Sequence, residues 1–241
     1  MNGKQLLKTA RPILFNTDMV KAILDGKKTE TRRLVTKKFI IQPDQEINQN
    51  GKGRFEFYNV TPRCGIPQNV FFKPPYQPED ILYVRETWQC LYELDGNEQI
   101  IEGTGRYYYA ATDQIPFDTY IDSRGISHEK TPWKPSIHMP KAAARIWLKV
   151  TDVRAERLQD ITEEQAKAEG AVRCYEELRP DEDNPVIYQS EDEGGYYVPG
   201  FKAIWNSTVK KPDIKKYGWE ANPWVWVIEF ERCEKPEEWC V

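Results

Sequence analysis

The segment Trp224–Glu231 constrains the fold more than any other. Trp224, Trp226, Ile228 and Phe230 fall on one side of an extended chain. Val225, Val227 and Glu229 fall on the other, a period of two that belongs to a β-strand. The two valines keep even the second side partly apolar. Ile81–Arg85 is a second clear strand, continuing into Glu86, Thr87 and Trp88, and Arg11–Phe15, Thr29–Val35, Tyr107–Ala111 and Arg145–Val153 supply others. Helical signals are fewer. Asn16 or Thr17 caps a helix to about Asp25, with Met19, Val20, Ile23 and Leu24 on one face and Gly26 as its stop. Thr162 followed by Gln165 is a capping-box pattern, predicting a helix from Glu163 to Glu169 ended by Gly170. Phe201–Ser207 suggests a further short helix. Several strands with few helices predict an α+β chain, mainly β, built as a small, mostly antiparallel barrel with flanking short helices.

The length of 241 residues fits one large domain, and no internal repeat or clean linker divides it. The expectation is a single domain over 1–241 with long, loop-like insertions at about 36–78, 112–136 and 174–196. Residues 174–195 carry eight acids and one Arg, which reads as a solvated loop. Residues 1–38 carry ten Lys or Arg against three acids. The net charge of −4 excludes a general nucleic-acid glue, so any polyanion must meet this local patch. Five cysteines, Cys64, Cys90, Cys174, Cys233 and Cys240, form no Cys-x-x-Cys pair, and no stretch is apolar enough to span a bilayer. The expectation is a reduced, cytoplasmic protein without a disulfide framework or a membrane partner. With His128 and His138 as the only histidines, neither a metal site nor a cofactor is expected.

Four blocks in order carry a resemblance. Ile23-Leu24-Asp25-Gly26-Lys27-Lys28-Thr29-Glu30-Thr31-Arg32-Arg33 resembles the opening signature of the ASCH family, a branch of the PUA-like barrels. Asp80-Ile81-Leu82-Tyr83-Val84-Arg85-Glu86-Thr87-Trp88 resembles its second signature, in which Gly usually stands where this chain has Glu79. Pro135-Ser136-Ile137-His138-Met139-Pro140, with Ala144 and Arg145, resembles the third block of the longer ASCH proteins of phage and prophage genomes. Thr162 to Gly170 and the final strand to Phe230 complete the set. The resemblance implies a PUA-like β-barrel with an adjoining ligand cleft; a fold does not fix an activity.

Within that family the chain is similar to the small bacterial amidohydrolases that remove the acetyl group of 4-acetylcytidine. Their catalytic Lys, Thr and Glu fall on Lys28, Thr31 and Glu169. A Thr hydroxyl attacks only when a base takes its proton. Lys28 is that base if burial lowers its pKa. Glu169 orients Lys28 or relays a proton to the leaving amine, and backbone amides or Arg33 stabilise the oxyanion. Taken singly, Lys28 is a solvated lysine at a helix C-terminus, Thr31 a strand threonine and Glu169 a surface residue. In a regular strand Thr29, Thr31 and Arg33 share one face, while Lys28 and Glu30 point the other way. Lys28 therefore meets Thr31 only from the turn before the strand.

The competing reading is a non-catalytic RNA-binding module. Arg11, Lys27, Lys28, Arg32, Arg33, Arg85 and Arg145 are its phosphate contacts, and Trp88, Trp205 or Trp224 its base-stacking ring; Trp88 is the best placed, and Trp224 and Trp226 read better as core packing. A ribonuclease would pair His138 with Lys28, although His138 reads equally as a structural histidine. A phage accessory protein that binds another protein is a further class. The expected ligand is a modified nucleoside or single-stranded RNA, in a pocket lined by Lys28, Thr31, Arg33, Arg85, Glu86 and Glu169.

Overall fold

The computed structural model describes residues 9–35, 47–50, 54–60, 68–97, 99–115, 118–121, 127–130, 132–177, 186–189 and 195–236. In chain order the main elements are β1 (Arg11–Leu14), α1 (Thr17–Leu24), β2 (Glu30–Leu34), β3 (Ile47–Asn50), β4 (Arg54–Val60), β5 (Gln68–Phe72), β6 (Ile81–Arg85), β7 (Trp88–Leu91) and β8 (Arg106–Tyr109). Then follow β9 (Asp118–Ile121), β10 (Ser127–Lys130), β11 (Trp147–Arg157), α2 (Glu163–Ala168), β12 (Cys174–Glu177), β13 (Val186–Gln189), α3 (Tyr197–Thr208), α4 (Ile214–Tyr217) and β14 (Trp224–Cys233). The architecture is α+β with strands predominating. No sheet among the described residues closes into a barrel. No helix among them is long and apolar enough to cross a membrane.

The chain divides into two compact units. Unit one comprises Met1–Asp25, Ile81–Leu148 and Arg232–Val241, and unit two Gly26–Asp80 and Lys149–Glu231. In unit one β1 pairs with β6 in parallel, Arg11 opposite Leu82 and Leu14 opposite Arg85. A parallel pair needs a long connection, and the stretch between these strands supplies it. On the other side of β6, the Val84 N–H donates to the Ile146 carbonyl at 3.0 Å, just before β11 begins. Asn16 caps α1 as expected, its side chain accepting from the Met19 N–H at 2.8 Å. Tyr83, Trp88, Met139, Ala143, Ala144 and Trp147 pack into one buried cluster.

In unit two the strand order is β11, β14, β2. β14 and β2 are antiparallel, with Val227 opposite Arg32, Ile228 opposite Thr31 and Glu229 opposite Glu30. β14 is buried on both faces. Val225 and Val227 join Phe201, Trp205, Leu158, Ile161 and Ala166 in one core cluster. On the alternate positions Trp226 meets Phe55 edge-on, ring centres 4.6 Å apart. Deleting a ring of this kind costs ~3–5 kcal/mol. The partly apolar second side of this strand is thus a second core face.

The three insertions carry more order than their composition suggested. The first contains the antiparallel meander β3–β4–β5, the second the hairpin β9–β10 and the acidic third the hairpin β12–β13. Short alternations such as Arg54-Phe55-Glu56-Phe57 sit within a polar composition that reads as loop. Residues 36–46, 61–67, 122–126, 178–185 and 190–194 lie outside the described residues.

Candidate functional site

The capping box of α2 forms as the sequence predicts. Thr162 accepts from the Gln165 N–H at 3.3 Å, and Gln165 Oε1 accepts from the Thr162 N–H at 2.9 Å. α2 then ends at Ala168 with Glu169 as its C-cap, and Gly170 turns the chain at φ +83°. On the other approach Gly26 turns the chain at φ +71°, a conformation that suits glycine. Lys28 and Glu169 next form an isolated antiparallel bridge. The Thr29 N–H donates to the Ala168 carbonyl at 2.8 Å, and the Thr29 carbonyl accepts from the Phe230 N–H at 2.9 Å. Two residues 141 positions apart are thereby fixed by their backbones before their side chains meet.

The side chains meet in the buried interior. Lys28 Nζ donates to Glu169 Oε2 at 2.6 Å, to the Glu169 carbonyl at 2.7 Å and to the Glu30 carbonyl at 2.8 Å. A lysine ammonium has three hydrogens, so these bonds use all of them. Lys28 is 2 % exposed. Burial pushes its pKa below the ordinary lysine value, against the opposing pull of the Glu169 carboxylate. Thr31 is buried one residue beyond the Glu30 carbonyl that Lys28 holds. Arg33 is half-buried in β2, and its charge acts on Lys28 and Glu169. Burial lowers its pKa, while Glu169 raises it.

A network of charge surrounds this pair that the sequence reading did not assemble. Arg32, buried, donates to Glu30, to Glu156 at 3.3 Å and to Glu169 Oε1 at 3.3 Å. Arg154 engages Glu156 and Glu229, with Glu30 at 3.2 Å and Asp152 at 3.3 Å. Burial raises the pKa of Glu30, against the nearby Arg32 cation. Burial works against the Arg154 cation, yet bonds to Glu156 and Glu229 hold its pKa above the ordinary value. The available signal was the period of two: Lys28, Glu30 and Arg32 on one strand, Asp152, Arg154 and Glu156 on another. Lys28 and Arg32, expected to contact phosphates, are instead buried in these ion pairs.

The other expected site residues belong to unit one. Glu86, 1 % exposed, is gripped by Arg145, with Nε to Oε1 and Nη2 to Oε2 both at 2.9 Å. Arg85 Nη1 donates to the Ile137 carbonyl at 3.1 Å. His138 is exposed at the end of the short turn Ser136–His138. Two stacking expectations are corrected. Trp88 is packed in the unit-one core, its ring 5.9 Å from that of Tyr107. Trp205 is buried in unit two, where its Nε1 donates to the Tyr217 carbonyl at 2.8 Å. Trp224 lies under the Arg157 guanidinium, 4.4 Å from the ring centre. Among the described residues no group of three His, Cys, Asp or Glu is arranged to hold a metal ion.

Glu79 adopts φ +73°, the left-handed region that glycine favours. This is the position at which the second ASCH signature usually has Gly. No family model, no curated protein and no solved structure matches the chain.

Proposed function

We propose that the chain is an ASCH-type, PUA-like protein that binds a modified nucleoside and hydrolyses the acetyl amide of a 4-acetylcytidine-type substrate at Lys28, Thr31 and Glu169. The observation that carries the reading is the 2.6 Å contact between Lys28 Nζ and Glu169 Oε2, both buried. The two residues lie in separate ASCH-like signatures, 141 positions apart. The glycine-like backbone at Glu79 supports the same family reading.

The chemistry follows from the charge balance. Burial favours a neutral Lys28, and Glu169 Oε2 is positioned to take the proton that Lys28 gives up. The free amine then accepts the Thr31 hydroxyl proton as Thr31 Oγ attacks the acetyl carbonyl. Arg33 or backbone N–H groups stabilise the oxyanion, worth about 3 kcal/mol per donor. Collapse breaks the bond from carbon to N4, and the lysine proton goes to the departing cytidine amine. Water then cleaves the threonine ester, so the net reaction is 4-acetylcytidine plus water to cytidine plus acetate.

The test is acetate release from 4-acetylcytidine by the purified chain, followed by chromatography of both nucleosides. Turnover is expected, with a fall of about 10²–10⁴-fold when the base is removed in Lys28→Ala. Thr31→Val, which exchanges the hydroxyl for a methyl of similar size, is expected to abolish turnover without disturbing the ion pair. Release unaffected by Thr31→Val would overturn the mechanism. Nucleoside or RNA binding without acetate release would leave the non-catalytic reading in its place.

A further inference from the structure

We infer that unit one carries a stacking site for a planar heteroaromatic ring, a nucleobase, on the guanidinium of Arg145. Three hydrogen bonds hold the guanidinium in place. Glu86 takes its Nε and Nη2 edge through two bonds of 2.9 Å, and Thr112 Oγ1 accepts from Nη1 at 2.9 Å. Tyr109 covers one face, with its ring centre 4.0 Å from Cζ. The Tyr109 ring is fixed in turn by its hydroxyl, which donates to the Ala143 carbonyl at 2.7 Å. Tyr109 and Glu86 take one face and one edge, and 28 % of the Arg145 side chain stays exposed.

Charge selects the class of ligand. Glu86 neutralises Arg145 directly. Asp113 lies behind, accepting from Thr112 Oγ1 at 3.1 Å and from the Tyr109 N–H at 2.8 Å. One cation against two carboxylates disfavours a phosphate here. It leaves intact what a guanidinium plane offers to a neutral ring, which is stacking area and π attraction. A base on the face opposite Tyr109 would complete a three-layer stack of Tyr109, Arg145 and base. The site shares with the proposed function only the nucleoside class of ligand and requires no acetate release.

The experiment titrates the full chain with adenosine, cytidine and ribose 5-phosphate, following the Arg145 Nε–H resonance by NMR and affinity by calorimetry. The resonance is assigned by its loss in Arg145→Lys. Both nucleosides are expected to move it upfield by ring current, and ribose 5-phosphate to leave it in place. Arg145→Lys keeps a cation beside buried Glu86 but loses the plane, and is expected to weaken nucleoside binding by about 5- to 150-fold. The shift is expected to persist in Thr31→Val, which separates this site from the hydrolytic one. An unmoved resonance, an equal response to ribose 5-phosphate, or unchanged affinity in Arg145→Lys overturns the inference.

Discussion

Lys28 Nζ donates to Glu169 Oε2 at 2.6 Å, with the lysine side chain fully buried and the carboxylate 5 % exposed. Such a pair is defined by what happens when one half is removed. Glu169→Leu strands a buried ammonium and is expected to cost ~3–5 kcal/mol. Lys28→Met/Glu169→Leu replaces both charges by apolar groups and is expected to cost much less than the sum of the single changes. Urea unfolding of the four proteins measures the coupling. Additive losses would mean that the two groups do not act as a pair.

The same burial predicts how stability depends on pH. Lys28 has a folded pKa below its ordinary 10.5. Between the two values the unfolded chain binds more protons, so its contribution is full above 10.5 and is lost as pH falls through the folded value. Glu30 has the opposite sign. Its folded pKa lies above the ordinary 4.5, so its contribution is full below 4.5 and is lost as pH rises through the folded value. Unfolding midpoints against pH are expected to lose the alkaline slope in Lys28→Met and the acidic slope in Glu30→Gln. A slope that survives its own substitution would assign it to another group.

Local patterns in the sequence carried the elements that hold the site. The alternation in β14, the run Ile81–Arg85 and the box from Thr162 to Gln165 each depend on neighbours within a few residues, and each formed. The bridge from Lys28 to Glu169 joins residues 141 apart, and no period reaches that far. It was legible only because two matched signatures named its ends. The ring of Glu30, Arg32, Arg154, Glu156 and Glu229 was not assembled, because alternating charges on a strand read first as a solvated face. Trp88 misled in the same way. A ring just past a strand end looks presented, yet Met139, Ala143 and Trp147 join it in the core.

Glu79 offers a test of the family pattern through stability alone. A non-glycine residue in the left-handed region costs ~1–2 kcal/mol. Glycine there loses more chain entropy on folding, roughly 0.5–1 kcal/mol. The Glu79 side chain is 75 % exposed and its 3.0 Å contact with Lys149 is a surface pair, which is worth ~0–1 kcal/mol. Glu79→Gly is therefore expected to be neutral or stabilising by up to about 1 kcal/mol, whereas Glu79→Ala keeps the strain and gains nothing. Thermal melts of the three proteins decide it. A Gly variant clearly less stable than the Ala variant would show that the backbone at this position carries no strain for glycine to relieve.

The hydrolytic mechanism makes a kinetic demand that stability measurements cannot imitate. Its base is the neutral amine of Lys28, so turnover is expected to climb with pH and level off above the lowered folded pKa of that lysine. Thr31→Ser retains a hydroxyl and is expected to keep this rising limb at a reduced rate. Thr31→Val has no hydroxyl and is expected to show no turnover at any pH. Initial rates of acetate release across the neutral and alkaline range measure the limb directly. A rate that falls as Lys28 loses its proton would mean that the ammonium is the working form. Lys28 would then act by holding charge rather than by taking the Thr31 proton.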